Sequence, residues 1–199
     1  MTRENWHAMA TVGDVAGVKA LLEEDPRLAN AQDFCGSTAL HRAAEHDQTA
    51  VAELLLAHGA EVNARDHSHK TPLHWAALYG RPRAAELLLA HGADVDSRDS
   101  TDKRPLHLAT GAAVAELLLA HGATVGSQST DGQTPLHMAV DSGDPDVAEV
   151  LLAHGAAVNA RNHRGETPLD LATAATPFRR MSEARAQIAE VLRRYAARR

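Results

Sequence analysis

A short block of residues returns along this chain at a nearly fixed interval. Thr38-Ala-Leu-His41 recurs as Thr71-Pro-Leu-His74, Arg104-Pro-Leu-His107, Thr134-Pro-Leu-His137 and Thr167-Pro-Leu-Asp170, at spacings of 33, 33, 30 and 33 residues. A second block, Val51-Ala-Glu-Leu-Leu-Leu-Ala-His-Gly59, keeps step with it and returns at residues 84–92, 114–122 and 147–155. Two independent motifs in register restrict the chain to a repeat architecture. In such a chain each unit is one supersecondary element that buries its apolar face only against its neighbours.

Each block has a local physical reading. Thr before Pro starts a helix: the hydroxyl caps a free backbone N–H, and Pro at the first helical position lacks only an N–H that would have had no helical partner. The first helix of a unit is predicted to run, for example, from Pro72 to about Tyr79. The Ala-Glu-Leu-Leu-Leu block is the second helix, ended by Gly59, Gly92, Gly122 or Gly155 in the left-handed conformation that glycine adopts freely. Val51, Ala52, Leu54, Leu55 and Leu56 make an apolar stripe so wide that the helix needs cover on both sides, as between stacked repeats. The polar remainder, such as residues 62–70, reads as an extended loop or hairpin leading into the next Thr-Pro.

Thr-Pro-Leu-His-x-Ala-Ala, followed by Leu-Leu-x-x-Gly-Ala-x-Val-Asn-Ala at a 33-residue period, resembles the ankyrin repeat across about residues 5–199. That resemblance implies an all-α solenoid of stacked helix-turn-helix units with protruding β-hairpin or loop fingers. A single repeat domain is expected: an N-terminal capping repeat at 5–33, full repeats at 34–66, 67–99, 100–129 and 130–162, and a C-terminal capping repeat at 163–199. The last unit carries an insertion, with 23 residues from Thr167 to Glu190 where Thr38 to Glu53 spans 15. Its Arg-rich helix from residue 182 suits a solvent-tolerant end.

Composition narrows the class. Hydrophobic residues make up 44% of the chain but aromatics only 3%, so Leu, Val and Ala build the core and any exposed ring stands out as a candidate contact. The single cysteine, Cys35, excludes a disulfide framework and a Cys-x-x-Cys zinc site. No cationic start leads into an apolar stretch, and no run is long enough to span a bilayer, so a cytoplasmic, monomeric protein is expected. Seventeen Arg against three Lys, with abundant Ala, point to a GC-rich bacterial genome. The net charge of −6 is uneven: residues 179–199 hold seven Arg and two Glu, a local +5, which leaves −11 for the rest. Those arginines read as a solvated helix end that complements its own dipole, with a basic patch for nucleic acid or an acidic surface as the alternative.

Thirteen histidines invite a metal hypothesis. Eight are periodic: His41, His74, His107 and His137 near helix starts, and His58, His91, His121 and His154 before the terminal Gly. Equivalent side chains on neighbouring helices lie roughly 8–10 Å apart, whereas zinc ligands must converge to about 2.0–2.1 Å from one ion. Bonds to loop backbone or to the helix end are the better reading. His67 and His69 beside Asp66 lack a third ligand. The chain has no phosphate loop, His-Glu-x-x-His helix or Gly-x-Ser-x-Gly elbow, and Cys35 has no evident base. Neither catalysis nor a cofactor, metal or small-molecule substrate is expected.

In ankyrin-like stacks, fingertips and first helices line a concave face where a partner protein docks. Carried over by resemblance, the tip positions are Phe34, Cys35 and Ser37; His67, Ser68 and Lys70; Ser100, Thr101 and Lys103; Thr130, Asp131 and Gln133; and His163, Arg164 and Glu166. The helix positions are Glu45 and His46, Leu78 and Tyr79, and Asp141 and Ser142. These residues differ between copies while the surrounding motif does not, a contrast that also fits unconstrained surface. Phe34, Leu78 and Tyr79 are the preferred anchors, with Phe34 packed back on the first repeat as the alternative. Trp75, beside the Ala-Ala pair, reads as packing. The 30-residue repeat loses three residues between Ala109 and Val114 and has Arg104 in place of a capping Thr. It is either a decayed repeat or a notch for a partner side chain. Its tip has Asp102, and the preceding tip His69, where the other tips carry Gly; both types tolerate left-handed backbone.

Overall fold

The structure is a computed structural model that describes residues 5–174 and 179–197, with side chains at all of these except 179–182. Arg198, Arg199, the side chains of Arg179 and Arg180, and part of the expected insertion lie outside the described residues.

Twelve helices follow one another among the described residues: α1 (Trp6–Val12), α2 (Val15–Glu24), α3 (Ala39–Glu45), α4 (Thr49–Ala57), α5 (Pro72–Leu78), α6 (Pro82–Ala90), α7 (Pro105–Leu108), α8 (Ala112–Ala120), α9 (Pro135–Ser142), α10 (Pro145–Ala153), α11 (Pro168–Thr173) and α12 (Arg179–Ala196). A 3-10 turn at Pro26–Asn30 follows α2. The chain forms two compact units that divide between Ser100 and Thr101.

In the first unit α3 lies between α1 and α5, while α4 lies between α2 and α6. Ala39, Ala43, Ala44, Ala76 and Ala77 are wholly buried on the first helices, where a methyl group is all that close helix packing leaves room for. Leu22, Leu40, Leu55, Leu73 and Leu88 fill the layer between, and Trp6 closes the N-terminal end. In the second unit α9 packs against α7 and α11, and α12 covers α10 and α11. Its core is Leu106, Leu118, Leu136 and Leu151, with Ile188 and Leu192 from α12. α7 has only four residues where α5 has seven, so the three-residue loss falls on the first helix, as its alignment implies.

Hairpin strands are absent among the described residues. Gln32 and Thr38 form one isolated antiparallel bridge, and the fingers are otherwise tight turns. The reason is local. Asp33 Oδ1 accepts from Cys35 N at 2.8 Å and from Ser37 N at 2.9 Å, while Asp33 N donates to Ser37 O at 2.9 Å. This Asx clasp draws the chain closed within five residues and leaves no length for a strand ladder. Left-handed backbone at the turn is supplied by Gly36, Gly132 and Gly165, and by His69 (φ 59°) and Asp102 (φ 57°).

Candidate partner-binding face

The helix starts position the face. His41 Nδ1 accepts from Thr38 N at 3.1 Å, and its Nε2–H donates to Lys70 O at 3.0 Å, the carbonyl that ends the next finger. His107 and His137 repeat this, with Nε2 bonded to Gln133 O and Glu166 O at 3.1 Å each. One ring thus caps its own helix and ties down its neighbour's finger. Burial pushes all three imidazoles below the usual histidine value, His107 to about 4, so the neutral form is the one the site holds. The other series, His58, His91, His121 and His154, turns Nδ1 back to the carbonyl four residues earlier at 2.9 Å. Among the described residues no group of three or more His, Cys, Asp or Glu could hold a metal ion.

The fingers are linked tip to tip. His67 N donates to Cys35 O and Ser100 N to Ser68 O in the first unit, both at 2.9 Å. Thr130 N donates to Thr101 O at 2.9 Å and His163 N to Asp131 O at 3.0 Å in the second. This ladder leaves Phe34, Cys35, His67, Ser68, Ser100, Thr101, Thr130, Asp131, His163 and Arg164 exposed. Lys70, Lys103, Gln133 and Glu166, at the last position of each tip, are half-buried. Ser37, at that same position in the first finger, is buried beneath the tip, because the Asp33 clasp draws it inward; it belongs to the wall of a cleft and not to the exposed tip.

Phe34 is 90% exposed, which excludes packing on the first repeat, and Leu78 and Tyr79 are also exposed. His46 and Ser142 are exposed, while Glu45 and Asp141 are half-buried and bound to neighbours. Arg42 donates to Glu45 at 3.0 Å, and Gln133 and Arg185 each reach Asp141 at 3.2 Å. Burial, followed by the Glu45 charge and hydrogen bond, raises the Tyr79 phenol above its ordinary value.

Trp75 packs against its neighbours but is also half-exposed, and with Phe34, Cys35, Ser37, Arg42, Asp66, His67 and Ser68 it lines an open cleft of about 420 Å³ in the first unit. Its Nε1–H donates to Asp66 Oδ2 at 3.0 Å, and its ring stacks on Tyr79 with centroids 5.8 Å apart. The Arg42 guanidinium lies 5.6 Å from the Trp75 ring centroid and donates to Asp33 Oδ2 at 2.7 Å. Burial alone would raise the Asp33 carboxyl, but Arg42 and the clasping N–H groups bring it below its usual range. Arg42 and Trp75 occupy the same repeat position, each nine residues after the finger Asp it serves. That offset is the sequence signal by which both could have been found.

The C-terminal arginines that the structure describes have acidic neighbours. Arg185 meets Asp141, Arg194 meets Glu149, and Arg193 lies 3.9 Å from Glu190. No described helix is long and apolar enough to cross a membrane.

Residues 6–99 match a family model described as ankyrin repeats in three copies, and residues 118–172 match one described as ankyrin repeats in many copies. A stretch of 57 residues is 46% identical to Serine/threonine-protein kinase VIK of Arabidopsis thaliana. It covers 29% of this chain and 13% of that protein's length.

Proposed function

Because this chain belongs to the ankyrin repeat family, an all-α repeat solenoid whose repeats generally serve as protein–protein interaction modules, we propose that it binds a partner protein through its fingertips and first helices. We read it as one repeat domain with the six units set out above, acting as a monomer in the cytoplasm and without catalysis. The observation that carries this reading is the placement of the rings. The chain has six aromatic residues; Phe34, Trp75 and Tyr79 all face solvent on the fingers and first helices of the first unit. Aromatic residues that keep exposed surface contribute most when a partner desolvates them.

The nucleic-acid alternative loses support from the pairing of Arg185, Arg193 and Arg194 with carboxylates, which leaves less free charge for phosphate. A photo-crosslinking amino acid placed at Phe34, at Tyr79 or at the opposite-end residues His58 and His91 tests the reading. A discrete adduct is expected from the first two positions in native lysate and not from the last two. Tyr79→Ala should reduce the Phe34 adduct by about tenfold, the scale of an anchor residue. Equal adducts from all four positions would show that this face has no special role.

A further inference from the structure

The cleft between the first two fingers is lined by one cation, Arg42, which is already paired with Asp33 and Glu45, and by one carboxylate, Asp66, that has no ion-pair partner among the described residues. Asp33 is paired with Arg42 at 2.7 Å, and Asp99 with Lys70 at 3.8 Å. Asp66, the finger carboxylate between them, is 6% exposed. Its oxygens accept only from Ser68 N, Lys70 N and Trp75 Nε1, and it has no cationic partner among the described residues. A buried carboxylate with hydrogen bonds but no counter-ion remains a site of negative potential. A second observation lies against it. Ser37 Oγ, on the same cleft wall, is buried with no hydrogen-bond partner. A buried hydroxyl without a partner marks a place where a polar atom is missing. The rings of Phe34 and Trp75 line the same cleft and offer apolar surface to an aliphatic stem.

Charge over the larger surface has the same sign. Residues 1–100 carry 15 acidic and nine basic side chains, the whole net −6 of the chain, whereas residues 101–199 carry 11 of each. Taking the protein-binding reading as its premise, we propose that this cleft receives a cationic side chain, Arg or Lys, from an extended segment of the partner. Asp66 supplies the counter-charge, Ser37 Oγ accepts a hydrogen bond from the cationic head, and the Phe34 and Trp75 rings flank the stem.

Four blocked five-residue peptides test this against the full chain: Leu-Leu-X-Leu-Leu with X as Arg, Lys, Gln or Glu, followed through the Trp75 indole N–H resonance. The Arg and Lys peptides should shift that resonance and bind at least tenfold more tightly than the Gln peptide, with the Glu peptide weakest. Asp66→Asn in the protein should abolish the preference while the fold persists. Asn162 makes the same clasp in the last finger, accepting from Arg164 N at 2.9 Å and Glu166 N at 3.0 Å. Ser37→Ala should weaken the Arg peptide several-fold at unchanged thermal stability. Equal binding of the Arg and Gln peptides, or an unaltered preference in Asp66→Asn, overturns the proposal. A Phe34 crosslink that survives in Asp66→Asn would then show that the face binds a partner by other means. Loss of that crosslink in wild type is the separate failure of the binding reading itself.

Discussion

Histidine at the helix start does two jobs that need opposite ends of one neutral ring. Nδ1 must accept from the N-cap backbone, and Nε2–H must donate to the neighbouring finger. A second proton on Nδ1 removes the acceptor and places a charge where no water can reach it. Asp170, in the same position of the last unit, keeps only the accepting half: it takes Thr167 N at 2.8 Å, and α12 rather than another finger follows. The pH dependence has a fixed sign. The folded-state values of His41, His107 and His137 lie below the ordinary 6.5, so the unfolded chain binds more protons and stability rises with pH. The contribution is intact above pH 7 and is lost as the pH falls from 6.5 towards about 4. His107 alone accounts for about 3 kcal/mol of this. Urea midpoints should hold steady from pH 8 to 7 and decline at pH 6 and 5. A midpoint that does not move between pH 7.5 and 5 would show that these rings charge freely in the fold.

At the scale of the finger, one copy lacks what three others have. Asp33, Asp66 and Asn162 each clasp the N–H groups two and four residues on. The fourth finger has Ser129 at that position, with its hydroxyl buried and unbonded. The turn still closes through Ser129 N to Gln133 O at 2.9 Å, but the shorter side chain does not bridge to Asp131 N and Gln133 N. Ser129→Asp restores the acceptor and should stabilise the second unit by about 1 kcal/mol, the usual worth of a cap-type bond. Hydrogen exchange at the amides of Asp131 and Gln133 should slow in parallel. Unchanged protection at both amides would mean that the carboxylate turns to solvent. These differences explain which parts of the fold could be read in advance. Helix boundaries follow from Thr-Pro and Gly because those residues act on their own backbone. Left-handed backbone at His69 and Asp102 was legible for the same reason. The choice between hairpin and loop and the burial of Ser37 were not, because both depend on how tightly the Asp clasp closes. Trp75 reads as packing because its neighbours on the chain are core residues, and what that reading does not show is which residues it packs on. Its partners, Asp66 and Tyr79, lie nine residues before it and four residues after it, and a copy-by-copy alignment with Arg42 carries that information.

Across the whole molecule, the same helical scaffold carries very different charge along its length. The first 100 residues hold the entire net −6 and the remaining 99 are balanced, although seven arginines crowd their end. The arginines of α12 whose side chains are described, Arg185, Arg193 and Arg194, lie against Asp141, Glu190 and Glu149 and are in part neutralised by them. Pairs as exposed as Arg194–Glu149 and Arg193–Glu190 contribute little stability, but they hold their guanidinium groups near carboxylates. A polyanion approaching this end must displace those acids and also meets the long-range repulsion of a negative chain. Retention by phosphate or sulfate polymers grows with the number of cations free to release counter-ions, and Arg185, Arg193 and Arg194 already lie beside carboxylates. The protein should therefore elute from heparin by about 0.15 M salt, where charges farther apart than roughly 8 Å are screened, and deletion of residues 193–199 should leave the elution position unchanged. A cationic partner of the first unit would behave oppositely, with an association rate that falls as salt rises while dissociation changes little. Strong heparin retention that disappears with residues 193–199 would transfer the binding role to the C-terminal helix. An association rate insensitive to salt would remove electrostatic attraction from the account of the first unit.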